Sequence, residues 1–468
     1  MGEELARLAA MPGWLGVLDD DARVEAALRA VVPGLRGAKL SDVRLKNGTW
    51  SARCRLDVPG EDGAERRLQF RATIVPPGRD EPAATLPTVA SQAPERGGWI
   101  PALRLTLVAD AEPEGKLPAL ALLTDPERAR AFLEQVIRAG TPRYHDLRIL
   151  SCVPHVMRYS PGSRCTILYQ LQLPTEGREA SWPDVVVVKT YHRPDKGRIA
   201  WEGMQGLWRS PLRTSGIVAI AEPLAWEPEL LVLVQGPIRQ ERTLKDLLLD
   251  TLTSGGQAGW EELRGYLTRT AAGLAALHQS GVPSAQHRGF ADELAEVREV
   301  LGRVTAQLPD LAGAADPLLD EVERLADRVP ADTPGPAHRS FRPAQVLLHR
   351  GEIGFIDFDG FCHAEPALDV ALFRATVRDL GMSTLPAAAS PEAGRALLAR
   401  VDELCDEFLA SYQALAPISP ERVAAWEALD LLTNVLHAWT KAKPNRLTHG
   451  IAILQDHARR LEALTAAL

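Results

Sequence analysis

The stretch HRSFRPAQVLLHRGEIGFIDFDG, His338 to Gly360, opens on a histidine, a hydroxyl and an amide and ends in two aspartates. Asp357 and Asp359 follow an apolar run, and a polar turn containing His338, Ser340 and Gln345 precedes another. Residues 345–348 (QVLL) and 353–356 (IGFI) have strand-like composition, and the polar link HRGE between them contains a glycine. Such a pattern predicts a hairpin. Paired strands lie about 5 Å apart, so the residues entering the hairpin sit beside those leaving it. Gln345 is therefore expected next to Asp357, with the His338–Phe341 turn close by. Amide and carboxylate oxygens suit a hard cation, and a cation with phosphates could occupy that end of the hairpin.

Other elements must frame this group. EELRGYLTRTAAGLAALHQSG places Leu263, Leu267, Ala271, Leu274 and Leu277 on one stripe, which predicts a helix stopped near Gly281. PDVVVVKTYH reads as a strand buried on both faces. A helix over PDKGRIAWEGMQGLW follows, then two strands in IVAIAEPLAWEPELLVLVQG. VMRYSPGSRCTILYQLQL reads as a hairpin around Pro161-Gly162. Nearer the start, residues 1 to about 36 read as helical, and three short strands extend through residue 75. The Pro- and Gly-rich segment PPGRDEPAATLPTVASQAPERGG is expected to be a loop. A strand, LRLTLVA, and a helix opened by Asp125 and Pro126 follow. The two strand-rich regions each hold an Arg-Cys dipeptide and suggest distant copies, with Arg71 matching Lys189. Strands followed by helices describe an α+β lobe pair.

Composition narrows the function. The chain has 468 residues and a net charge of -8, which argues against a broad basic surface for nucleic acid. No apolar run is long enough to span a bilayer, and the first residues lack a secretory pattern. The five cysteines are widely spaced without a CxxC pair, so they read as core residues of a reduced, cytoplasmic protein. Asn47-Gly48-Thr49 matches a glycosylation sequon but reads better as a tight turn.

The ordered motifs resemble the aminoglycoside phosphotransferase-like kinases, a branch of the protein-kinase-like fold. H-R-S-F-R-P-A-Q followed by I-D-F-D resembles that family's H-G-D-x-x-x-x-N, hairpin and I-D-(F/W/Y). EPALDVALF resembles its G-D-P-x-x-D-L-A segment, LAALHQSG its Leu-His helix end, and VVVVKTY the strand carrying its nucleotide-binding lysine. An extra N-terminal region and Gln345 bring the chain nearer the maltokinase-like members. The resemblance implies a bilobal fold, ATP and Mg²⁺ as cofactors, and a small-molecule hydroxyl acceptor such as a sugar or an aminoglycoside-like compound. It implies that Asp357 and Gln345 hold the metal and that Asp359 assists. Lys189 would meet the nucleotide phosphates with Glu202 as its partner. Gly162 would lie in a phosphate-covering turn, and the backbone from Val234 to Gly236 would face adenine. His338 and Asp369 take structural positions. The implied division is a cap-like region at 1–140, a small lobe at 141–236 and a helical large lobe at 237–468.

One position departs from the family. Ser340 stands where the catalytic aspartate belongs, and Arg339 replaces the adjoining glycine. A serine cannot take the acceptor's proton near neutral pH unless another base assists, and that service is typically worth roughly 10²–10⁴ in rate. Phosphoryl transfer depends mostly on positioning and charge, so the loss need not be fatal. Asp359 or Glu365 is an alternative base, and Arg339 and Arg342 are planar forks suited to an anion. Two readings follow: an ATP-dependent phosphotransferase with a relocated base, or a pseudokinase that binds nucleotide without transfer.

Overall fold

The computed structural model describes residues 1–32, 34–60, 64–78, 97–109, 117–177, 179, 181–386 and 389–468. The proline-rich loop expected after residue 75 lies mainly outside the described residues, at 79–96. The chain divides into two compact units, one comprising Met1–Glu112, Phe290–Pro330 and Ala424–Leu468, the other Pro113–Gly289 and Ala331–Val423.

The second unit contains the site. Its five-stranded antiparallel sheet is built from Ser151–Ser160, Arg164–Gln172, Val185–Tyr191, Pro223–Glu227 and Val232–Gln235. The first three form a meander, the fifth pairs with the third, and the fourth lies at the edge. Val186, Val188, Ile167, Tyr169 and Val234 point into a core closed by Leu133 and Ile137 of the helix Pro126–Gly140. Asp125 caps that helix by accepting from the Arg128 amide at 3.0 Å, with Pro126 in its first turn. The helix Pro194–Arg209 packs closely because it presents glycines. A Cβ on Gly203 would lie 2.7 Å from the Phe361 ring, and one on Gly197 would strike the Trp226 ring.

Helices dominate the rest of this unit, among them Leu244–Ser254, Gln257–His278, Ala367–Met382 and Pro391–Gln413. The predicted Leu263–Leu277 stripe is buried on Gln257–His278. On the same helix, the absent side chain of Gly273 makes room for Phe355, whose ring would be 2.9 Å from a Cβ there. The expected hairpin pairs Val346–His349 with Glu352–Phe355. Its two turn residues, Arg350 and Gly351, both have positive φ, the conformation that matches the twist of a two-residue hairpin. This arrangement, an antiparallel sheet with a helix followed by helices that carry a hairpin, is the α+β architecture expected.

The first unit has its own five-stranded antiparallel sheet: Gly37–Lys46, Thr49–Pro59, Glu65–Ile74, Gly98–Ile100 and Leu105–Ala109. Asn47 and Gly48, both at positive φ, form the tight turn between its first two strands. Its strand order is the same as that of the other sheet. The residue match differs from the expectation, however. Cys54 faces Phe70 and Cys165 faces Thr190, so aligning the cysteines sets Gln69, not Arg71, opposite in role to Lys189. Trp50 and Trp439 are buried together in this unit: the Trp50 indole donates to the Trp439 carbonyl and the Trp439 indole to the Leu8 carbonyl.

Candidate active site

Lys189 lies near the end of a strand buried on both faces, and its side chain is 9% exposed. An ammonium so placed needs anionic partners. It has two: Nζ donates to Asp357 Oδ1 at 2.6 Å and to Asp359 Oδ1 at 2.9 Å. Asp357 follows the hairpin directly and has φ +75°, a left-handed conformation that points its carboxylate back at the sheet. The Ile356 amide donates to the Gln345 carbonyl at 3.1 Å, which holds the entrance and exit of the hairpin together.

Two further residues complete the cluster. Arg164 Nη1 donates to Asp359 Oδ2 at 3.0 Å, and the Tyr191 hydroxyl donates to Asp359 Oδ1 at 3.0 Å. Neither was singled out from sequence. A signal existed, because Lys189 and Tyr191 share a strand face and Arg164 pairs with Tyr191 across the sheet. Burial opposes charge on both members of the Lys189–Asp357 pair, yet each partner outweighs that penalty. Lys189 is held above the ordinary lysine range by Asp359 and Asp357. Asp357 is held well below the carboxylate range by Lys189 and Arg164. Burial, reinforced by Asp359, keeps the Tyr191 hydroxyl protonated far beyond its usual range.

Glu202 is a correction to the expected site. It pairs with Arg198 at 3.1 Å on an exposed face of its helix, and Lys189 takes its carboxylates from the hairpin instead. The face turned inward carries Gly197, Ala200, Gly203, Met204 and Leu207, where close packing leaves no space for a glutamate. The Gly236 amide, expected toward adenine, donates to the Glu222 carbonyl at 2.8 Å, while Val234 is buried and paired with Val188. Gly162, at φ +66°, forms the turn between the first two strands of the sheet. Glu365 lies apart from this cluster in the bonds it makes, since its carboxylate receives Arg422 Nε at 2.8 Å and the Asp332 amide.

The polar turn is anchored from below. His338 is fully buried, and its amide donates to Asp369 Oδ2 at 2.6 Å. Asp369 also receives His278 Nε2 at 3.2 Å, and His278 Nδ1 meets the Tyr412 hydroxyl at 2.7 Å. Arg339 adopts φ +63°, so the turn takes a left-handed conformation that favours glycine without having one. Ser340 is half-buried, with Oγ 3.2 Å from His338 Nδ1.

Mg²⁺ takes one or two carboxylates and leaves its other positions to phosphate oxygens and water, so it needs no larger ligand cage. The donors here fit that requirement. Asp357 is kept charged, and Gln345 Oε1 is buried without a hydrogen-bond partner among the described residues.

Residues 212–404 match the sequence model of the phosphotransferase enzyme family, APH. No curated protein matches the sequence. Solved structures do. A glucosamine kinase in complex with glucosamine, ADP and inorganic phosphate is 16% identical, covers 95% of this chain and 97% of its own, and has a TM-score of 0.45. A thermostable mutant of the aminoglycoside phosphotransferase APH(4)-Ia is 15% identical over 66% of this chain and 95% of its own, with a TM-score of 0.44. A choline kinase from Cryptosporidium parvum Iowa II is 12% identical over 72% and 96%, with a TM-score of 0.46.

Proposed function

We propose that the second unit binds a magnesium–nucleotide and transfers its terminal phosphoryl group to a hydroxyl of a small molecule. The observation that carries this reading is the buried Lys189 ammonium bridging Asp357 and Asp359. In phosphoryl transfer, charge spreads over the oxygens of the moving group, and most of the catalysis is positioning and neutralisation. Lys189 and Arg164 supply the positive charge. Asp357 and Gln345 would hold Mg²⁺, which offsets the phosphate charge when bound. Asp359 is already engaged by Lys189, Arg164 and the neutral Tyr191 hydroxyl, so its role is to aim the two cations. The division into a cap-like region to residue 140, a small lobe to 236 and a large lobe beyond belongs to the same proposal, as does a sugar or aminoglycoside-like acceptor.

A thermal shift with Mg²⁺-ATP tests the binding step. The parent is expected to rise in Tm and Asp357→Asn to lose most of that rise. An unchanged Tm for the parent at saturating nucleotide would remove the proposal. A second reading, nucleotide binding without transfer, is favoured by Ser340 and Arg339 in the catalytic turn. Release of ADP from Mg²⁺-ATP across a panel of hydroxyl acceptors separates the two, since only a phosphotransferase shows acceptor-dependent turnover.

A further inference from the structure

The missing carboxylate at position 340 leaves open what receives the acceptor hydroxyl. His338 answers through its two ring nitrogens. Nε2 lies 2.9 Å from the Ile356 carbonyl oxygen, which can only accept. In the neutral ring the proton must therefore sit on Nε2, leaving a lone pair at Nδ1. Ser340 Oγ, 3.2 Å from Nδ1, is then the donor in that contact. Its hydrogen is committed inward, and its own lone pairs are left to receive a hydrogen bond from outside. The ring is held in this orientation by the Phe358 and Phe341 rings, with centroids at 4.8 and 5.6 Å, and by the Asp369 bond to its own amide.

We propose that Ser340 is the catalytic acceptor of the substrate hydroxyl proton, with His338 as the positioning residue that polarises it and takes up the displaced proton. The inference rests on the phosphotransferase reading above. The substrate hydroxyl donates to Ser340 Oγ. As its oxygen forms a bond to the γ-phosphorus, the bond from that phosphorus to the β–γ bridging oxygen breaks and nucleoside diphosphate leaves. The substrate proton passes to Ser340 Oγ while the serine's own proton passes to His338 Nδ1, giving an imidazolium that later returns its proton through the half-buried Ser340 hydroxyl. The Ser–His pair thus replaces one aspartate by a neutral acceptor and a proton store behind it.

The test has a spectroscopic arm and a kinetic arm, both on the full chain. In ¹⁵N-histidine-labelled protein, His338 is expected as the Nε2–H tautomer, with an Nδ1 resonance that moves toward its unbonded position in Ser340→Ala. His338→Gln identifies the signal and retains an amide donor for the Ile356 carbonyl. A parent ring with its neutral-state proton on Nδ1, or an Nδ1 resonance unmoved by Ser340→Ala, overturns the proposal. In the kinetic arm, Mg²⁺-ATP is turned over with amino sugars, monosaccharides and choline as acceptors. Ser340→Ala and His338→Gln are each expected to lower kcat by roughly 10²-fold with little change in the KM for ATP, and the double variant to be no worse than either. Ser340→Asp carries its own base, so adding His338→Gln to it should cost less than about threefold. Additive losses, or single variants with parental kcat, overturn the relay while leaving the phosphotransferase reading intact. A parent that binds Mg²⁺-ATP but transfers to no acceptor also overturns it, whereas a parent that binds no nucleotide sinks the underlying function.

Discussion

Lys189 is surrounded by more negative charge than a surface lysine ever meets, and removing it has a calculable consequence. Lys189→Met would leave Asp357 and Asp359 side by side with Arg164 as the nearest remaining cation. Breaking a buried ion pair from one side typically costs about 3–5 kcal/mol, more than the added apolar volume returns. Urea unfolding should show that loss, together with disappearance of the Mg²⁺-ATP shift. Glu202→Gln is the contrasting substitution. Its carboxylate is 52% exposed and paired only within its own helix, so stability should stay within about 0.5 kcal/mol and nucleotide binding should not change. The sequence made the Gln345–Asp357 neighbourhood legible because hairpin geometry is local. Strand alternation put Tyr191 on the face of Lys189, but Arg164 was hidden because its place opposite Tyr191 depends on the register between two strands. Glu202 was misread for a simple reason: it is a plausible acid on the right helix, but on the wrong face.

Elements in this unit are set by what their glycines leave out. In a helix, replacing glycine by alanine normally stabilises by up to about 1 kcal/mol. Gly265 on the helix Gln257–His278 has only the end of the Arg269 side chain near it, at 3.6 Å, and Gly265→Ala should show that gain. Gly203→Ala should reverse the sign, because the new methyl would press on the Phe361 ring and overpacking costs typically about 1–3 kcal/mol. Paired denaturant curves for the two variants check this directly. Helix positions were readable from the hydrophobic stripe of Leu263–Leu277 and from the Asp125-Pro126 cap. The close approach of Pro194–Arg209 was not, since a glycine in a helical pattern gives no sign of which ring will fill the space. The shared strand order of the two sheets was hinted at by the Arg-Cys dipeptides, yet the pairing shows that architecture can repeat while the lysine position does not.

At the scale of the whole chain, all five cysteines are buried in the fold. Burial pushes the Cys54 thiol up to about 12 and the Cys152 thiol up to about 11. An unfolded thiol ionises near 8.5, so the fold binds these protons more tightly than the unfolded chain does. Their contribution to stability is therefore complete below about pH 8.5 and declines as pH rises toward the folded values. Alkylation at pH 8 should label none of the five in the native chain and all of them in guanidinium, and labelling of the native protein would contradict the burial. No helix among the described residues is long and apolar enough to cross a membrane.

The first unit draws on three stretches interrupted by Pro113–Gly289 and Ala331–Val423, with Leu8, Trp50 and Trp439 bonded in one core. During synthesis its leading sheet emerges long before the helices from Ala424 onward that finish the same core. That sheet must wait with an apolar face uncovered while most of the polypeptide is still being translated. The ribosome therefore delivers the second unit before the first can close, and chaperone dependence should fall on that waiting sheet.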